Sequence, residues 1–98
     1  AKALEIAKRA IDRGLDEDLN QEERQFMYMP LMHSENLTDQ YECLNLMRER
    51  VGLSAPVMFA EKHLEVIEKF GRFPHRNDVL GRDSSIAEIA WVDQNGGF

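Results

Sequence analysis

Apolar residues return along this chain at three- and four-residue intervals, and short capping signals divide that pattern into five helical stretches. The first runs from about Lys2 to Arg13, with Ala3, Leu4, Ala7, Ala10 and Ile11 on one stripe. Gly14 is a natural left-handed stop, after which Leu15 is expected to fold back onto the helix. The second begins at Asn20, where Asn20 and Glu23 match a capping box. Phe26, Met27, Tyr28, Met29, Leu31 and Met32 make it apolar nearly all round, which predicts a central, largely buried helix. Pro30 lacks a backbone donor and is expected to kink or shorten that helix around Phe26.

The third stretch runs from about Leu37 to Val51, with Leu37, Tyr41, Leu44, Met47 and Val51 on one face. Ser34 or Asn36 can cap its start, and Gly52 ends it. The fourth runs from about Ala55 to Phe70, with Pro56 near its first turn. Its inner face is expected to carry Phe59, Ala60, His63, Leu64, Ile67 and Phe70. A last, short helix spans about Ile86 to Val92 behind the capping box Ser85-Ile86-Ala87-Glu88, before a frayed or turning tail, Asn95 to Phe98. No alternating strand pattern of useful length is present. The expected fold is therefore all-α, about five helices in antiparallel hairpins.

Composition adds limits. A chain of 98 residues with 43% hydrophobic and 31% charged residues is too apolar for disorder and forms a single all-helical domain, residues 1–98. The net charge of -6 argues against general binding to nucleic acid or an anionic membrane. No apolar run approaches the roughly 18–20 residues that cross a bilayer. Cys43 is the only cysteine and sits in a helical pattern, so a buried reduced thiol is expected, suiting a cytoplasmic protein. The chain opens on Ala1-Lys2-Ala3 inside a helical pattern, without Met or cap. That suggests the C-terminal part of a longer protein. An apolar face uncovered by such a cut would favour self-association.

The densest candidate chemistry lies in Phe70-Gly71-Arg72-Phe73-Pro74-His75-Arg76-Asn77. Two rings, Pro74, Gly71 and Gly81 predict an ordered loop from Gly71 to Ser84. Arg72 and Arg76 could grip a phosphate or carboxylate with their guanidinium forks, His75 could act as acid, base or donor, and Asn77 could donate and accept. A structural role is equally open for His75 and Arg76, and is favoured for Asn77 and Asp78. Asp16, Glu17, Asp18, Glu22 and Glu23 supply possible carboxylate partners for the loop arginines. His33, Ser34 and Glu35 form a second cluster, and His33 and Glu35 are candidates to line a ligand.

Other chemistries fit less well. His33, Glu35 and His75 have ligand types suited to zinc, but their spacing matches no metal motif, so no metal or cofactor is expected. Ser34 lacks a glycine-flanked elbow and reads as a cap, not a nucleophile. His63 reads as a satisfied core histidine, and Met27, Met29, Met32, Met47 and Met58 as core filler. The acidic run from Asp16 to Glu23 reads as a favourably charged helix start, without the spacing of a calcium loop.

Two motifs carry a resemblance. Glu23-Arg24-Gln25-Phe26-Met27-Tyr28-Met29-Pro30-Leu31-Met32-His33-Ser34-Glu35 resembles the E-R-x-F-x-Y-x-P-x-x-H-S-E signature of bacterial domain of unknown function 924. Phe70 to Asn77, followed by Leu80-Gly81-Arg82, is similar to its second signature, and Ser84 to Trp91 to its closing helix, with Trp91 where a phenylalanine is common. The family's further leucine-aspartate-glutamine-phenylalanine-proline-arginine-asparagine motif has no counterpart here, so the resemblance covers the C-terminal half of a typical member. It implies a tetratricopeptide-like helical fold and a family without an established activity. The motif positions it marks are Arg24, Pro30, His33, Ser34, Glu35, Arg72, Pro74, His75, Arg76 and Asn77. The leading expectation is a module that binds a peptide or small anionic ligand in a groove lined by His33, Glu35, Arg72, His75 and Arg76, with Asn77 a further candidate ligand contact. The competing readings are a hydrolase of phosphate or carboxyl esters with His75 as acid or base, and a purely structural role for both motifs.

Overall fold

The computed structural model describes residues 2–96. Among these residues six α-helices follow one another: α1 (Lys2–Asp12), α2 (Gln21–Met32), α3 (Leu37–Leu46), α4 (Ser54–Phe70), α5 (Asn77–Leu80) and α6 (Ile86–Asn95). A π-helical turn, Met47–Val51, extends α3, and a 3-10 turn, Pro74–Arg76, leads into α5. Among the described residues there is no strand, so the fold is an all-α bundle. None of these helices is long and apolar enough to cross a membrane.

The helix starts follow local chemistry. Asn20 and Glu23 exchange the two bonds of a capping box at α2, as do Ser85 and Glu88 at α6. Asn36, not Ser34, is the cap of α3: its side chain accepts from the Asp39 N–H at 3.2 Å. Ser34 stands beside that cap, donating to Asp39 at 2.7 Å and accepting from the Asn36 N–H at 3.1 Å. Gly71 ends α4 at φ +72°, a left-handed conformation that a side chain would strain. The segment expected as one long loop, Gly71 to Ser84, is half helical, in two short consecutive pieces, Pro74–Arg76 and Asn77–Leu80. The tail expected to fray is helical through Asn95, and its last two residues lie outside the described ones.

Helix ends pair start to finish. Gln40, at the start of α3 and fully buried, donates to the carbonyls of Met32 and Ser34, both at 2.7 Å, at the end of α2. Arg24, early in α2, donates to the carbonyl of Arg50 at the end of the π turn, at 2.9 Å, and to those of Asp16 and Glu17. Tyr41 donates to Glu68 at 2.8 Å, joining the start of α3 to the end of α4. These contacts make α2 and α3, and α3 and α4, antiparallel neighbours.

The main core gathers Tyr28, Leu31, Met32, Cys43, Leu44, Leu46, Met47, Val51, Ala60 and Leu64, with Leu4 and Ile11 of α1 packed against it. A second cluster joins Val66, Ile67 and Phe73 to Phe70 and Trp91. Several apolar residues expected inside are outside. Phe26 is 69% exposed, and Leu15, Leu37, Tyr41 and Phe59 also face water. Helix α2 is thus buried along one side only, through Tyr28, Leu31 and Met32. It also continues past Pro30 to Met32, so it is not shortened at Phe26. A proline so near the end removes only one ladder bond.

A buried anchor lies where the acidic run begins. Asp16 is fully buried and accepts hydrogen bonds from the Tyr28 hydroxyl and from Arg50. The loop arginines therefore do not use Asp16. Burial and the Asp16 carboxylate push the Tyr28 phenol up to about 12.

Candidate functional site

The two polar clusters, forty residues apart in the chain, meet where the end of α2 faces the turn after α4. Gly71 reverses the chain, and Phe73 enters the core with its ring fully buried. Pro74 then fixes the first residue of the 3-10 turn that carries His75 and Arg76. The Phe73 N–H donates to Glu35 at 2.6 Å, and Arg76 donates to the His33 carbonyl at 2.9 Å. These two bonds stitch the second motif to the first.

Behind this seam runs an ionic network. Arg82 grips Glu35 with two parallel bonds of 2.9 and 3.1 Å and also donates to the Phe73 carbonyl and the Asn77 side chain. Asn77, itself buried, donates to Ser84 at 2.9 Å and to Glu88 at 3.3 Å. Arg72 holds Glu88 through two bonds of 2.9 Å and reaches the Asp83 carbonyl at 2.6 Å. Glu88 thus closes the cap of α6 and receives Arg72 at once, and both hold its carboxyl well below the usual range. The bonds from Arg82 chiefly lower Glu35 as well, helped by the Phe73 N–H.

On the other side of the seam is a hollow of about 150 Å³ lined by His33, His63, Phe73, His75 and Arg76. His63 is buried, and its Nδ1 donates to the Phe59 carbonyl at 2.7 Å, as expected of a satisfied core histidine. Its ring nevertheless faces the hollow, 6.0 Å from the His33 ring and edge-on to Phe73 at 5.6 Å. His75 lies 5.9 Å from the Phe73 ring and 6.4 Å from Trp91. All three imidazoles are held below the ordinary histidine range, first by desolvation and then by neighbouring positive charge, Arg76 among it. At neutral pH they are uncharged rings, each with a donor and an acceptor nitrogen. Arg76 stacks over Phe73, its guanidinium carbon 4.6 Å from the ring centre.

Of the six residues read from the sequence as ligand contacts, His33, His75 and Arg76 line this hollow. Arg72, Asn77 and Glu35 are engaged in the network, with Glu35 also on the rim of a neighbouring groove. Nothing in the sequence marks Arg82 and Glu88 as partners in this network. Arg82 closes the second motif, and Glu88 read only as a cap. Among the described residues, no group of three His, Cys, Asp or Glu side chains could hold a metal ion.

Comparison with known proteins bears on the family and the fold. No curated protein matches the chain. A solved structure of a protein of unknown function from Agrobacterium tumefaciens matches with a TM-score of 0.89 and 32% sequence identity, over 95% of this chain and 52% of that one. The chain therefore spans about half the length of that relative. The family model described as bacterial protein of unknown function (DUF924) matches residues 1–96. This chain belongs to the DUF924 family.

Proposed function

We propose that the hollow between the end of α2 and the turn Pro74–Arg76 binds a small anionic ligand or the carboxylate of a peptide, on a scaffold of tetratricopeptide-like hairpins. The observation that carries this reading is the state of the arginines. Arg72 and Arg82 are each matched by a carboxylate, Glu88 and Glu35. Among the described residues, no carboxylate forms an ion pair with Arg76, which lines the hollow with one bond to a backbone carbonyl. A guanidinium stacked on a ring and left with donors to spare is well suited to an anion. His33 and His75 would add imidazole donors. Glu35, Arg72 and Asn77 would hold the walls in place. The antiparallel pairing of α2 with α3 and of α3 with α4 supports the hairpin reading.

Titration with inorganic phosphate and with acetate, read by calorimetry, tests the proposal. Wild type should bind at least one of them, and Arg76→Gln should lose that binding while remaining folded, the lost bond to the His33 carbonyl and the lost stacking on Phe73 costing about 1–3 kcal/mol. Absence of binding, or binding unaffected by the substitution, would refute it. The hydrolase reading has less support: Ser34, the nearest hydroxyl to His33 in sequence, donates to Asp39. Turnover in a broad phosphatase and esterase screen, lost in His75→Ala, would revive it.

A further inference from the structure

We infer that the ligand is an aliphatic carboxylate, with its head in the histidine hollow and its tail along the groove between α1 and α2. This rests on the anion-binding reading above and adds the chemistry of the rest of the ligand. The hollow has room for a head group and little else. Beside it lies a groove of about 610 Å³ whose lining includes Leu4 of α1 and Phe26, Met29 and Pro30 of α2. His33 and Arg76 line both spaces, so they stand at the junction. A second apolar groove, about 320 Å³, lies between α2 and α4 beside Met32 and Phe59, but Arg76 does not line it. A head held by Arg76 therefore directs its tail towards α1 and α2.

The chemistry of the junction is asymmetric. On the hollow side are a guanidinium and three imidazoles; on the groove side Ala3, Leu4, Phe26, Met29 and Pro30 make an apolar wall beside Ser34 and Glu35, and Phe26 lies open to water. Glu35 touches the groove, but Arg82 takes both of its oxygens and neutralises it. A ligand charged at one end and apolar at the other satisfies both sides, whereas a uniformly polar anion leaves the groove wet. A flat carboxylate also matches the paired donors of a guanidinium better than a point charge would.

The test compares octanoate, acetate and octan-1-ol in calorimetric titrations of the chain. Each buried methylene is worth about a fourfold gain in affinity, so burial of only two makes octanoate about 15-fold tighter than acetate. Octanoate should also exceed octanol, because the alcohol has no charge for Arg76. Phe26→Ser and Met29→Gln should reduce the octanoate advantage and leave acetate binding as it was. Equal affinities for octanoate and acetate, octanol binding as tightly as octanoate, or an advantage unmoved in both variants would overturn the inference while leaving the anion site intact. Failure of both acetate and octanoate to bind would overturn this inference, and the anion-binding reading falls with it only if inorganic phosphate also fails to bind.

Discussion

Glu35 is where the first motif holds the second, and its truncation should show how much the fold depends on that joint. Glu35→Ala removes two bonds from Arg82 and the acceptor of the Phe73 N–H. Phe73 is fully buried, so its amide loses a partner that water replaces poorly, at a cost of about 1–3 kcal/mol. Arg82 and Glu35 side chains are about one-quarter exposed, and Arg82 can recover water, so the ion pair itself adds only ~1 kcal/mol. The sum is roughly 2–4 kcal/mol, a fall in Tm of at least about 8 °C for a domain of this size. Urea and thermal unfolding followed by far-ultraviolet circular dichroism measure it.

Glu35→Gln separates charge from shape. Arg82 keeps the native carboxylate charged to lower pH than in the unfolded chain. Glu35 therefore adds stability that is fully present above the ordinary carboxylate value of about 4.3 and is lost as pH falls through its lowered native value. Part of the acid limb of the stability curve should flatten in the glutamine variant; Glu88 will retain its own share. A Glu35→Ala protein within about 0.5 kcal/mol of wild type would refute the account of the joint.

Two further outcomes follow from groups remote from the hollow. Tyr28→Phe deprives the buried Asp16 carboxylate of one of its two side-chain donors and should cost about 1–3 kcal/mol in urea unfolding, whereas an unchanged midpoint would show that Arg50 alone suffices. Cys43 is fully buried and its thiol is pushed up to about 12, chiefly by desolvation, so a thiol reagent at neutral pH should label it only at the rate of opening or unfolding, and rapid labelling would contradict its burial.

Much of the site was legible because it is built from local signals. The segment after Gly71 combines rings, a proline and cations that a continuing helix would not use, and His33 to Glu35 ends an apolar helix. Charge pairing was not legible. Arg72 and Arg76 are four residues apart and look alike in sequence, yet Arg72 forms an ion pair with Glu88 while Arg76 donates to a backbone carbonyl and stacks on Phe73. His63 looked like a core residue and is one, but the same ring also faces the hollow.

What the sequence determines by itself is the five longer helices and most of their ends, though not α5, because a cap such as Asn20 with Glu23, or a stop such as Gly71, acts over three or four residues of the same chain. It also determines the interior of α2 to α4 in outline, since Tyr28, Leu31, Cys43, Leu44 and Leu64 have to leave water together. It does not determine which apolar residues remain outside. Phe26 and Phe59 look as core-like as Phe73, and only the packing of elements distant in the chain leaves the first two in water and encloses the third. Tertiary structure alone likewise assigns Asp16 to Tyr28 and Arg50, and Glu35 to Arg82, because each pairing depends on distances between elements far apart along the chain.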